Sequence, residues 1–153
     1  MGMYTKINII IKLKKETPKN IIEVIECMFN GYDIEDMNAC GVEIPKHDFF
    51  ENDRRVWFPK SCGSYYFTGT ANSNIQYRNV DKEMVLHIDT DFKNYDDEIE
   101  LFLDWIAPYV DAYEKEFLGY SRYEEDLNPT LYFYSNGKII EFINNNVKGD
   151  KDD

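Results

Sequence analysis

The stretch Met3-Tyr4-Thr5-Lys6-Ile7-Asn8-Ile9-Ile10-Ile11-Lys12-Leu13 alternates. Thr5, Ile7, Ile9, Ile11 and Leu13 fall on one side, with Tyr4, Lys6, Asn8, Ile10 and Lys12 on the other. In a strand successive side chains point to opposite faces, so this pattern is a strand with one mostly apolar face. Such a face needs a cover, and the next segment supplies one. Thr17-Pro18 opens a helix: the threonine hydroxyl can cap it, and proline is tolerated at the first helical position, where its missing N–H would have no partner. Ile21, Ile22, Val24, Ile25, Met28 and Phe29 make the apolar stripe, and Gly31 stops the helix.

The rest of the chain repeats the theme. Tyr32 to Lys60 mixes acids, Pro45, Pro59 and the aromatic pairs Phe49-Phe50 and Trp57-Phe58, and reads as a long ordered loop with one helical turn near His47 to Asn52. Ser64 to Thr70 and Ser73 to Val80 read as strands joined at Ala71-Asn72, and Glu83 to Phe92 as a third. The acids around Asn94 to Glu98 start a second helix, since negative charge suits the positive end of the helix dipole. Its stripe is Ile99, Phe102, Leu103, Ile106, Val110 and Tyr113, with Pro108 as a kink. Phe117 to Tyr123 is a further strand. Thr130 to Tyr134 and Lys138 to Ile143 make a hairpin across Ser135-Asn136-Gly137, with Asn-Gly as the turn signal. The order β-α-βββ-α-βββ predicts an α+β two-layer sandwich: a mostly antiparallel sheet with two helices packed on one face. It forms one domain over residues 1–143, followed by a polar, disordered tail over 144–153.

Composition narrows the function. The chain has 153 residues, 17 Lys+Arg against 29 Asp+Glu and a net charge of -12, with 12 Tyr and 10 Phe. So many rings argue against a disordered acidic tail. The charge argues against direct contact with nucleic-acid phosphates or anionic membranes, which need a basic surface. No signal peptide or membrane span is legible, so a cytoplasmic protein is expected. Cys27, Cys40 and Cys62 are odd in number and far apart, which speaks against a disulfide framework. Cys40, His47 and Cys62 could meet around zinc, but no C-x2-C pair supports it.

The charge is concentrated. Asp81 to Asp126 carries 15 acids and 4 bases, so the rest of the chain is nearly neutral. On the second helix Asp97, Glu100, Asp104 and Asp111 lie opposite the apolar stripe, and Glu124, Glu125 and Asp126 form another cluster. Leu101 and Trp105, spaced i, i+4, lie off the stripe, where an exposed tryptophan beside acids has the composition of an interface anchor unless the Tyr32 to Lys60 loop covers it. These nine residues are the candidate docking surface for a basic, nucleic-acid-binding partner protein. The alternative is a solvated face that keeps the protein soluble.

Enzymatic signatures are sparse. Phosphate loops, a G-x-S-x-G elbow and an H-E-x-x-H motif are all missing from the sequence. His87-x-Asp89-x-Asp91 would put three possible metal ligands or proton-transfer groups on one strand face, the basis of an alternative metal-dependent or acid/base enzyme. Tyr66, Thr68, Gln76, Arg78, Tyr132 and Tyr134 could line an open sheet face suited to a flat ligand, a nucleotide sponge being the third reading. Arg54-Arg55 is expected to pair with Asp53 and Glu51. No cofactor is expected.

Phe92-Lys93-Asn94-Tyr95-Asp96-Asp97-Glu98-Ile99-Glu100-Leu101-Phe102-Leu103-Asp104-Trp105-Ile106-Ala107-Pro108-Tyr109 and Phe117-Leu118-Gly119-Tyr120-Ser121-Arg122-Tyr123-Glu124-Glu125 resemble a group of small acidic proteins of Gram-positive bacteria and their phages, one with no established activity. The likeness covers the C-terminal half well and the rest loosely. It implies no catalytic residues. By analogy it implies an inhibitor of host defence machinery, such as a CRISPR effector, that mimics the charge of DNA.

Overall fold

A computed structural model of the chain describes residues 4–60, 71–78, 80, 83–95 and 97–143. Thr5–Leu13 forms β1 and Lys19–Phe29 forms α1. Ile34–Ala39 forms α2, Asn74–Arg78 forms β2 and Glu83–Phe92 forms β3. Glu98–Ile106 forms α3, and Phe117–Tyr123, Thr130–Ser135 and Lys138–Ile143 form β4, β5 and β6. The six strands make one antiparallel sheet in the order β2-β3-β1-β4-β5-β6, an α+β architecture.

The alternation in β1 decides the two faces. Ile7, Ile9 and Ile11 are fully buried, opposite Thr90, Ile88 and Leu86 of β3. Burying each such isoleucine contributes about 1.5–3 kcal/mol. This face meets Val24, Ile25 and Met28 of α1 and Ile99, Phe102 and Ile106 of α3 in one continuous core. On the other face Ile10, Phe117, Ile140 and Phe142 are each about half exposed.

Several local expectations are corrected. Thr17 does not cap α1: its hydroxyl closes a turn on the Lys14 carbonyl at 2.6 Å, and the helix starts after Pro18. The Tyr32 to Lys60 segment is more regular than a loop. It contains α2 and the 3₁₀ turns Asp48–Glu51 and Asp53–Lys60, and it delivers Met37, Phe49, Phe50, Val56 and Phe58 to the core. Asp33 and Asp36 cap α2 reciprocally, with side chain to backbone bonds of 2.7 and 3.1 Å. Arg54 does not pair with its sequence neighbours; its guanidinium reaches buried Glu98 and the Lys93 carbonyl, and Arg55 reaches the Asp48 carbonyl.

The second helix ends early. After Ile106 the chain tightens into a 3₁₀ turn, Ala107–Tyr109, because Pro108 has no N–H and its ring clashes with the carbonyl one turn back. Val110 then pairs with Leu13 as an isolated bridge, and Tyr113 is exposed rather than on a buried stripe. In β5, Tyr132 and Tyr134 lie on the helix-covered side; Tyr132 is fully buried, with its hydroxyl 2.7 Å from Ser121 Oγ. The expected strand Ser64 to Thr70 and the tail 144–153 lie outside the described residues, as do Cys62, Tyr66 and Thr68. Among the described residues no helix is long and apolar enough to cross a membrane.

Candidate functional site: an acidic groove between α3 and β6

Two periodicities build the site. On α3, Glu100 and Asp104 stand one turn apart on the same side, and Leu103 of α3 lies one turn before Ala107 of the 3₁₀ turn that follows. On β6, Ile139 and Glu141 point to the helix-covered side and Ile140 and Phe142 to the other, as their partners in β5 require. The two elements enclose a groove of about 370 Å³. Its floor is Leu103, Ala107 and Ile139, its rim is Glu100, Asp104 and Glu141, and Lys138 stands among the lining residues.

The groove is electrostatically negative. Glu141 has its carboxyl held above the usual carboxylate range, first by partial burial and then by the charges of Glu100 and Asp97. Tyr132 lies beneath: burial pushes its hydroxyl well up, the Ser121 bond opposes this, and Glu100 and Glu141 add to the rise. Asp97, just before α3, is exposed and makes no side-chain cap bond. Glu100 accepts from Asn94 Nδ2 at 3.2 Å. Asp104 faces His47 Nε2 at 2.8 Å. The other ring nitrogen of His47 accepts the Phe49 N–H at 3.1 Å, which leaves Nε2 to donate to Asp104.

The nine residues expected to form one docking surface are split up. Asp97, Glu100 and Asp104 stay together. Asp111 does not, because the helix has ended. It ion-pairs with Lys12 at 3.6 Å, and Lys12 also holds Glu83 at 3.2 Å. Glu124 is partly structural: Oε1 accepts the Tyr4 N–H at 2.9 Å while its own N–H donates to the Tyr4 carbonyl at 3.0 Å. That end of β1 lies about 24 Å from Lys12 at ~3.4 Å per residue. Glu125 and Asp126 are exposed in the turn between β4 and β5. Leu101 is half-buried against the core.

Trp105 is not an exposed anchor. It is 5% exposed, parallel to Phe49 with centroids 6.3 Å apart and edge-on to Phe50 at 4.8 Å. The 3₁₀ turn Asp48–Glu51 covers it. The exposed indole is Trp57, at 47%.

The alternative sites fare differently. Lys6 places its ammonium on Asp89, where a metal cation would have to stand. His87 Nε2 lies 3.2 Å from Asn8 Oδ1, and Asp91 is fully buried. Among the described residues no group of three or more His, Cys, Asp and Glu could hold a metal ion. Cys40 is exposed, His47 is engaged by Asp104, and neither Cys40 nor Cys27 is in a disulfide. The flat-ligand face loses Tyr132 and Tyr134 to the helix-covered side, while Gln76 and Arg78 remain exposed.

Glu141 is the groove residue that sequence reasoning missed. Its signal was available: it alternates with Ile140 and Phe142 in a strand whose turn is unambiguous. No family model, no curated protein and no solved structure matches this chain.

Proposed function

We propose that the protein is a non-enzymatic binding protein whose acidic groove, with Asp97 just before α3, occupies a basic surface of another protein. The observation that carries this reading is the convergence of Glu100, Asp104 and Glu141 on one groove with an apolar floor, where Lys138 is the base among the lining residues. Elsewhere in the Asp81 to Asp126 segment, four carboxylates are matched by cations from the near-neutral part of the chain: Arg54 for Glu98, Lys6 for Asp89, Lys12 for Glu83 and Asp111. In the groove three carboxylates stand against one lysine, so part of the excess behind the net charge of -12 stays available there. Surfaces that grip nucleic-acid phosphates are the basic surfaces such a groove complements. The partner class we propose is a nucleic-acid-binding protein, and a host defence protein such as a CRISPR effector is the type.

The test is affinity capture from host lysate at low and at high salt, read by mass spectrometry, with wild type beside Glu100→Lys/Glu141→Lys. A basic protein held by wild type at low salt, released at high salt and lost with the variant is expected. The same partner held equally by a folded variant sinks the reading.

A further inference from the structure

The groove is walled by the edge strand of the sheet, and that edge carries further recognition chemistry. Asn136 and Gly137 both have positive φ, 53° and 80°, the geometry of a type I′ turn closing on Ser135 and Lys138. Tyr134 sends its N–H to the Glu116 carbonyl and accepts the Lys115 N–H, at 2.9 and 2.7 Å, so its backbone groups face away from β6. Its partner Ile139 therefore has its own N–H and C=O aimed off the sheet edge, and antiparallel alternation extends this to Glu141 and Ile143. Among the described residues no strand pairs with that side of β6.

The two faces of this edge differ in chemistry. On the helix-covered side Glu141 stands between Ile139 and Ile143 and meets Glu100 and Asp104 across the groove. On the other side Ile140 and Phe142 are 45% and 54% exposed. A strand added alongside β6 would have one set of alternate residues on the groove side, within reach of the carboxylates of Glu100, Asp104 and Glu141, and the other set facing Ile140 and Phe142.

We infer that β6 accepts an extended basic segment of a partner protein as an additional antiparallel strand. The segment has Lys or Arg at alternate positions, facing Glu100, Asp104 and Glu141, and apolar residues between them, facing Ile140 and Phe142. The inference rests on the acidic-groove reading and names what the groove takes: a strand of alternating basic and apolar residues. Charge complementarity selects the basic positions, and the open backbone groups of Ile139, Glu141 and Ile143 fix the segment's register.

The experiment uses the full chain and a dye-labelled peptide, Gly-Lys-Ile-Lys-Ile-Lys-Gly, read by fluorescence anisotropy. Three comparisons accompany it: the same composition with the lysines consecutive, the same peptide N-methylated at its lysine amides, and the Glu100→Lys/Glu141→Lys protein. The alternating peptide is expected to bind, and each comparison to weaken it by about tenfold or more, the methyl groups because they remove the N–H groups that face β6. Equal binding of the block and methylated peptides overturns strand addition and leaves acidic docking standing. Undiminished binding to the double variant overturns both. No binding of the alternating peptide overturns the inference alone, leaving the docking reading to its lysate test. A protein dimer that the peptide fails to dissociate and that Ile143→Pro breaks would make a second copy the occupant, which also overturns it.

Discussion

Gly119 shows how much one residue can decide. It sits at the irregularity where β4 pairs with β5, with φ at 156°, and a Cβ built there would lie 2.1 Å from the Asn8 carbonyl oxygen and 2.6 Å from Ile9 Cα. Those are backbone atoms of β1, which cannot give without breaking the sheet. Gly119→Ala is expected to lose about 3 kcal/mol or more in denaturant unfolding, at the upper end of overpacking costs. Glu141 makes the opposite point, that a native residue can work against the fold. Its carboxyl is raised by partial burial and by Glu100 and Asp97. A raised carboxyl binds its proton more tightly in the folded state. The stability this brings is full below the unfolded value of about 4.3 and is lost as pH rises through the raised value. Glu141→Gln is therefore expected to melt above wild type at neutral pH, and the difference to close on acidification below about pH 4. A flat difference across that range would mean that neither burial nor the neighbouring carboxylates raise the Glu141 carboxyl.

Among the elements, Trp105 is the buried tryptophan and Trp57 the exposed one. Trp105 is packed among Phe49, Phe50 and Phe102, so Trp105→Ala is expected to cost about 3–5 kcal/mol in unfolding experiments. Trp57, nearly half exposed, should change stability by only about 0.5 kcal/mol when replaced by alanine. Arg54→Met removes the guanidinium that faces buried Glu98 and ties the Asp53–Lys60 turn to the start of α3. It is expected to lower the melting temperature, whereas removing exposed Arg78 should not. How far these elements could be read in advance depended on the range of the signal. The β5–β6 hairpin was legible because Asn136-Gly137 is a local instruction, and β1 because only one of its faces is apolar. The inward face of β5 was not legible: Leu131, Tyr132, Phe133 and Tyr134 are apolar or aromatic on both parities, and a shift of one residue flips them all. The α2 helix was hidden because its capping box uses aspartate at the third position instead of Glu or Gln. The cover over Trp105 comes from a segment more than fifty residues away, which no periodicity on α3 can report. Of the candidate site, Asp97, Glu100 and Asp104 were legible from helical spacing. The loss of Asp111 followed from Pro108, which ended the helix rather than bending it.

At the scale of the whole molecule the excess of acids acts as a load on the fold. With net charge -12, self-repulsion opposes the compact state, and added salt screens it. The melting temperature is expected to rise between ~10 mM and ~150 mM sodium chloride, where the Debye length shrinks from about 30 to about 8 Å. The lysine-rich peptide should produce a further rise if it fills the groove. The sheet order has a consequence in time as well as in space. β1 comes early in the chain, yet its partners are β3, through Thr5 and Phe92, and β4, through Thr5 and Tyr123. During synthesis the isoleucine row leaves the ribosome long before either neighbour has been made. Made before both of its partners, β1 is thus among the last strands to be enclosed, and a nascent chain stopped short of Tyr123 would present one flank of it as an open, aggregation-prone edge.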